Sequence, residues 1–454
     1  MISIYPHRER LAALFQREQQ RFQETHQASS IAHSSGRDSM LAGVPMIWMA
    51  KWPGGFPVYV KSASGARFID LDDNEYTDFC LGDTGSMSGH SPRPTVLAIS
   101  EQAKKGITLM LPTEQAAKNA RELASRFGLP KWQFTLSATD ANRHLIRFAR
   151  HVTGRQKIAV HDYCYHGTVD ETFANLAPDG STTSRKNNIG APVPLDQTTV
   201  SIPFNDLAAA EAAFASGEVA AMLMEPALTN IGIVLPDAGY LEGMQELCRK
   251  YDIIWILDET HTLSAGPGGM TAQLGLKPDA LVLGKTIGGG IAVGAYGMTE
   301  TLAETIAASM ELESIDVGGV GGTLAGNALS MAAVGATLTE VLTPEAFEHM
   351  ESLAIMWQQG IQEIIDEFGL PWQVSRVGCR GEYSFRPSAP KTGAEAAAAE
   401  DFELQQFLQL HALNRGILMT PFHNMTLMSP ETKPEDVQRH LSHFREAVSE
   451  LFGN

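Results

Sequence analysis

Two residues offer the first foothold for chemistry. IIWILDETHT sets Asp258 and Glu259 after an apolar run, and KPDALVLGK sets Lys285 after another, 27 residues beyond Asp258. Short apolar runs of this kind read as buried strands, and the carboxyl ends of parallel strands form the edge at which such sheets bind ligands. A carboxylate and an amine delivered to one crevice can work on a carbonyl compound, because an amine partly removed from water gives up its proton more readily and attacks the carbonyl as a Schiff base forms. The alternative leaves Lys285 reaching solvent and Asp258 capping the following turn, since strand-end carboxylates are commonplace in α/β folds.

Other segments add to the same crevice. In FTLSATDANRHLIRFARHVTG, Ser137, Ala138, Thr139 and Asp140 stand before a helix expected from about Ala141 to His151. The first turn of that helix presents free backbone N–H groups, an anion site suited to phosphate; read alone, Ser137 or Thr139 is an ordinary N-cap. Tyr165-His166-Gly167 closes another strand, where an aromatic side chain could stack on a flat ring or simply cover the core edge. Glu225-Pro226 supplies a further strand-terminal carboxylate, and Gly322-Thr323, in a loop before a helix, a second hydroxyl and N–H for the anion.

These groups need a scaffold, and the pattern supplies one. KIAVHD (157–162), AAMLMEP (220–226), IIWILDE (253–259) and ALVLGK (280–285) are short, apolar and separated by helical stretches, which calls for a largely parallel sheet covered on both faces. Before them, PVYVKS, ARFIDLD and EYTDFC alternate with tight-turn residues and read as a small antiparallel sheet. Residues 6–30 carry Leu11, Leu14, Phe15 and Phe22 at helical spacing, an amphipathic arm. Leu324 to Phe368 reads as one or two long helices, followed by QVSRVG, EYSFRP, GILMTP and a last amphipathic helix from Pro434 to Leu451. The tract 393–408, rich in alanine and acids, reads as a solvated helix. The expected division is an arm and the start of a small domain (1–80), a large α/β domain (81–330) and the remainder of a small α+β domain (331–454) built from both chain ends.

Composition narrows the function. The 454 residues are 44% hydrophobic and 19% charged, ordinary for a chain with a sizeable core, and the formal charge of −18 repels nucleic-acid backbones and anionic lipid. Cys80, Cys164, Cys248 and Cys379 lie 84, 84 and 131 residues apart, so none pairs at metal-ligand or redox-motif spacing. Neither a secretory signal nor a membrane-spanning run is read, and the expectation is a soluble cytoplasmic protein without a metal. LGKT has Asp279 where a P-loop needs glycine, GSMSG has Met87 where a nucleophile elbow needs serine, and no HExxH occurs.

In order and spacing, these motifs resemble the class III aminotransferase family, pyridoxal-phosphate enzymes of fold type I, over nearly the whole chain from about Leu41. The nearest branch is that of glutamate-1-semialdehyde aminomutases and β-amino-acid aminotransferases. The motifs that carry the likeness are DE followed by GKTIGGG, with YHG, EP and GGTLAGN in register. The resemblance implies a mostly parallel, seven-stranded-type sheet in the large domain and pyridoxal 5'-phosphate carried by Lys285. By the same likeness Asp258 would pair with the protonated ring nitrogen, Ala138 and Thr139 would belong to the phosphate cup beside Ser137, and Tyr165 and His166 would flank the ring near Glu225. Thr323 would reach the phosphate of a neighbouring subunit in a homodimer with shared active sites.

The departures are informative. Ala138 stands where the family has glycine in its cup, and Thr260 where a valine usually meets the ring face; its hydroxyl could tune the ring or find a local acceptor. An arginine that grips the substrate carboxylate in the nearest branch is replaced in GVPMIWMAKWPGG by Ile47, Trp48 and Met49. Arg380, two residues before Glu382 on a strand, is the proposed substitute; the alternative is a surface ion pair with Glu382. Trp48, Lys51 and Met87, with Met46, Met49 and Trp52 nearby, are candidates for lining a bulky substrate pocket, and His261 and His423 read as structural histidines before pocket donors. The function expected is an aminotransferase passing nitrogen from an amine or β-amino acid to an oxo acid. The alternatives are an aminomutase or racemase on the same scaffold, or a non-catalytic binding protein of the same fold.

Overall fold

The computed structural model describes residues 7–186, 188–190, 193–309 and 318–453. Two compact units are present, one made of Arg93–Pro344 with Pro390–Ala398, the other of Met1–Pro92, Glu345–Ala389 and Ala399–Asn454.

The larger unit is built on a seven-stranded sheet. Its order is Lys131–Thr135, Gly294–Met298, Ala280–Leu283, Ile254–Asp258, Val219–Met224, Lys157–His161, Thr199–Ile202. Gly294–Met298 runs antiparallel to both neighbours and the remaining pairs are parallel. Val219–Met224 is buried at all six positions. Because successive side chains point to opposite faces, that burial requires both faces to be covered, which is why these strands read as unbroken apolar runs. Helix Ala138–Thr153 packs against five of these strands, and Tyr240–Lys250 against Ile254–Asp258. The carboxyl ends of Val219–Met224, Ile254–Asp258 and Ala280–Leu283 deliver Glu225, Asp258 and, one residue after Gly284, Lys285.

The glycines after Lys285 are shaped by packing. Gly289 has φ +59°, and a Cβ there would stand 2.5 Å from Thr337 Oγ1 and 2.8 Å from Thr95 Cγ2. Those two threonine hydroxyls are hydrogen-bonded to each other at 2.8 Å, at the point where the helix Ala328–Ala336 loosens into the wide turn Thr337–Val341. The run expected from Leu324 to Phe368 is therefore interrupted here, and resumes as Pro344–Glu367.

The smaller unit draws on both chain ends. Val60–Ser64, Arg67–Asp70 and Glu75–Asp78 form the antiparallel sheet, and Ile417–Leu418 joins it parallel to Glu75–Asp78. A second antiparallel sheet contains Gln373–Val377, Arg380–Ser384 and Met425–Leu427. The arm is two helices, Arg8–Thr25 and Gln27–Gly36, with Leu11 and Phe22 buried against this unit. One expectation fails here. The tract 393–408 is not a solvated helix: it breaks after Gly393–Ala397, and Asp401 caps a new helix, Phe402–Leu413, that is buried from Phe407 onward. Alanine and acid content gave the wrong reading because the apolar residues that follow continue the helix into the core. The four cysteines are free and buried, and among the described residues no helix is long and apolar enough to cross a membrane.

The glycine pair offers a direct test of packing against backbone freedom. Gly290 also has positive φ, but nothing lies within 4 Å of a Cβ built there. Gly289→Ala should cost about 1–3 kcal/mol more than Gly290→Ala, the penalty of forcing a methyl into filled space. Urea unfolding of the two variants measures the difference, and equal midpoints would show that Thr95 and Thr337 yield freely.

Candidate active site

Asp258 is the last residue of its strand and is 3% exposed. A buried carboxylate is costly unless its oxygens are satisfied, and these are. Oδ2 accepts from Asn142 Nδ2 and from His166 Nδ1, each at 2.9 Å; Oδ1 accepts from the Thr260 hydroxyl at 2.6 Å and the Thr260 N–H at 3.1 Å. Burial alone would raise its pKa, but the bonds from His166, Thr260 and Asn142 hold it below the usual aspartate value. His166 moves the other way. Burial opposes its charge, and the interactions with Cys164 and Asp258 override it, raising the imidazole to about 10. The structure thus keeps an ionised acid inside the protein, with a cationic histidine behind it. Thr260 has found its local acceptor, and that acceptor is Asp258.

The helix expected after this segment forms and starts earlier, at Ala138. Ser137 caps it, its Oγ accepting from Asp140 N–H at 3.3 Å. Ala138 is absent from the residues with positive φ, so the glycine freedom the family has at this position is not needed here. Its methyl instead lies beside Gly284, where a Cβ would come within 2.9 Å of it. Thr139 Oγ1 accepts from Thr168 N–H at 3.1 Å, under Gly167, whose φ is +75°.

Lys285 is half-buried with φ +53°, a left-handed backbone that only a few per cent of non-glycine residues adopt and that tends to mark functional positions. Its Nζ lies 2.8 Å from Nε2 of His261. His261 reads along the chain as a structural histidine before a pocket donor; its place three residues after Asp258, on the turn that leaves the same strand, is the signal for the second reading. Glu225 is buried, accepts from the Thr229 hydroxyl at 2.5 Å and from Tyr165 N–H at 3.5 Å, and burial raises its pKa. It braces the Tyr165 backbone, and Tyr165 itself is half-buried. Two polar atoms in this cluster, His166 Nε2 and Asn142 Oδ1, are buried without a partner.

The larger unit therefore joins Asp258, His166 and Thr260 in one hydrogen-bonded group at the sheet edge and Glu225 with the Tyr165 backbone in a second. Ser137, Ala138 and Thr139 form the helix start, and Lys285 closes with His261. Thr323 stands exposed in its loop ahead of the Asn327-capped helix. The substrate candidates belong to the smaller unit. Trp48 is 43% exposed, edge-on to Phe422 at 6.4 Å, and Lys51 is exposed. Met87 needs correcting: it is fully buried, its sulfur 3.5 Å from Cys379 Sγ, and it packs in the core. Arg380 is also fully buried, in an ion pair with Asp83 at 3.6 Å, while Glu382 meets His423 at 3.2 Å. The surface pair of Arg380 with Glu382 does not exist, because both side chains point inward on a strand whose first four residues are buried. A guanidinium so enclosed is not displayed for a ligand.

Comparison with known proteins agrees with this geometry. A family model, Aminotransferase class-III, matches residues 48–447. Glutamate-1-semialdehyde 2,1-aminomutase of Sorangium cellulosum is 32% identical over 404 residues, covering 87% of this chain and 90% of its own. A crystal structure of a glutamate-1-semialdehyde aminomutase from Pseudomonas aeruginosa PAO1 superposes with a TM-score of 0.96 at 45% identity, over 98% of this chain and 99% of that one. A lysine-to-alanine variant of that enzyme has been crystallised in complex with PMP. A β-phenylalanine aminotransferase from Variovorax paradoxus gives a TM-score of 0.86 at 26% identity, over 97% of each chain.

The paired shifts set a pH signature. The lowered Asp258 contributes stability that is present above the ordinary aspartate value of ~3.9 and lost as pH falls. The raised His166 contributes stability that is complete below ~6.5 and lost as pH rises towards about 10. Urea midpoints of the cofactor-free protein should therefore fall at both ends of that range, and both falls should flatten in His166→Asn. Parallel curves for the two proteins would refute the coupling.

Proposed function

The chain belongs to the class III aminotransferase family, and from that premise we propose that it is an aminomutase, exchanging an amino group between neighbouring carbons of one substrate. Glutamate 1-semialdehyde is the first substrate to offer it. The support is the likeness to aminomutases over nearly the full chain, joined to a large unit in which Lys285 and the ionised Asp258 close the same sheet edge.

The cofactor is pyridoxal 5'-phosphate, and the donor set fits it. Lys285 would carry it covalently, Asp258 would face its protonated ring nitrogen, and the N–H groups of Ala138 and Thr139 beside Ser137 would take its phosphate. Tyr165 would cover the ring. Thr323, exposed in this protomer, would serve the phosphate of a partner in a homodimer. When bound, the group supplies an electron sink for the carbanion formed beside the substrate nitrogen.

The protein's own residues do the rest. Asp258 stays ionised because His166, Asn142 and Thr260 occupy its oxygens, so it can hold a proton on a ring nitrogen without taking that proton itself. Lys285 would serve as the base and acid that removes a proton from one carbon and returns it to the next. The half-buried position limits access of water to that amine.

A second reading has its own support. Segment 46–50 carries no cation, and Met46, Ile47 and Trp48 are 52%, 43% and 43% exposed. Apolar groups there favour a substrate lacking a carboxylate at that point, as a transaminase of a bulky amine would take.

The two readings differ in their need for an acceptor. An aminomutase should convert its amino substrate at the same rate with or without an added 2-oxo acid, whereas product that rises in proportion to added oxo acid would establish transamination. In either case Lys285→Ala should lower turnover by 10²–10⁴-fold or more, on the order of what a positioned acid–base group supplies.

A further inference from the structure

The contact between Lys285 Nζ and His261 Nε2, at 2.8 Å, has no role in the chemistry assigned so far. His261 is 9% exposed and sits on the turn between Asp258 and Leu263, where the backbone passes directly from the strand that carries Asp258. At this distance the two nitrogens are within hydrogen-bonding reach, and two positive charges held so close would repel strongly. The other acids of the same turn are engaged elsewhere: Asp258 by Asn142, His166 and Thr260, and Glu259 by the hydroxyls of Thr262 and Thr271 and the N–H groups of Met270 and Thr271. His166 is turned to Asp258 and Glu225 to Thr229. Lys285 also has the left-handed backbone, which confines where its side chain can start.

We propose that His261 is a positioning residue for Lys285: its Nε2 orients the amine and takes up the proton that Lys285 must shed before it can attack or act as a base, returning it afterwards. The transfer moves one proton from the ammonium to the imidazole, leaving a lone pair on Nζ and a charge on the ring; no other atom changes hands. This inference rests on the proposed use of Lys285 as the reacting amine, and it deepens that reading by naming where the amine's proton resides.

The test uses the cofactor-free full-length protein, so that it does not depend on which reaction is catalysed. Lys285 is labelled with a small imidate, and the labelled peptide is quantified by mass spectrometry across pH. In the wild type the labelling rate should rise in two steps, because the pair titrates as a unit. In His261→Gln, which keeps an acceptor but cannot take a proton, a single step should remain. Superimposable profiles would overturn the proposal. Should His261→Gln fail to fold, the reciprocal measurement stands in its place: the imidazole NMR titration of His261 should move to higher pH by a unit or more in Lys285→Ala, and an unmoved titration would overturn the proposal equally. With pyridoxal phosphate bound, the pH midpoint of the absorbance near 400 nm should also shift in His261→Gln, and turnover should lose kcat with little change in KM. A protein that shows the two-step labelling but neither isomerises nor transaminates would retire the functional reading and leave this one intact.

Discussion

A carboxylate that stays charged in the protein interior is the constraint around which the large unit is arranged. Removing Asp258 from water has a cost of several kcal/mol that only well-placed donors offset. The donors come from three places: Asn142 on helix Ala138–Thr153, His166 in the loop after strand Lys157–His161, and Thr260 on the turn beyond Asp258 itself. Each must arrive within hydrogen-bonding distance of one side chain. That requirement fixes the register of helix Ala138–Thr153 over the sheet, and with it the position of the helix start that Ser137 caps. The helix start and the Asn142 donor to Asp258 thus belong to the same helix, Ala138 four residues before Asn142.

Much of this was legible because strand ends and helix starts have strong local signals. Asp258, Glu225 and Lys285 follow apolar runs, and Ser137 precedes an amphipathic stretch, so their types and neighbours predict both element and exposure. The strands Lys131–Thr135, Thr199–Ile202 and Gly294–Met298 were not read, since the first two are short with polar residues at alternate positions and the third is mostly glycine, alanine and tyrosine. His261 was passed over for a different reason. Nothing along the chain marks a histidine as a lysine's partner when the lysine lies on another strand; only the pairing of Asp258 with Val282 across the sheet brings the two turns together.

The smaller unit was harder to read because its buried charges contradict what side-chain type suggests. Arg380 and Glu382 were expected at a pocket or as a surface pair and are instead buried, Arg380 against Asp83 and Glu382 against His423. A period-two pattern gives which residues share a face but not whether that face is wet. The same ambiguity misled the reading of 393–408, where a capped break at Asp401 separates a short outer helix from a buried one.

The parallel pairing of Thr77 with Ile417 carries a consequence for biogenesis. A ribosome releases the segment Arg93–Pro344 well before the last strand of the smaller unit leaves the exit tunnel, so the large sheet can collapse while the first 92 residues wait. Until Ile417 emerges, Glu75–Asp78 presents an unpaired strand edge of the kind that recruits other chains. Nascent polypeptides of this protein therefore pass through a late stretch of translation, between Pro344 and Ile417, with the large sheet formable and the edge of the smaller one open.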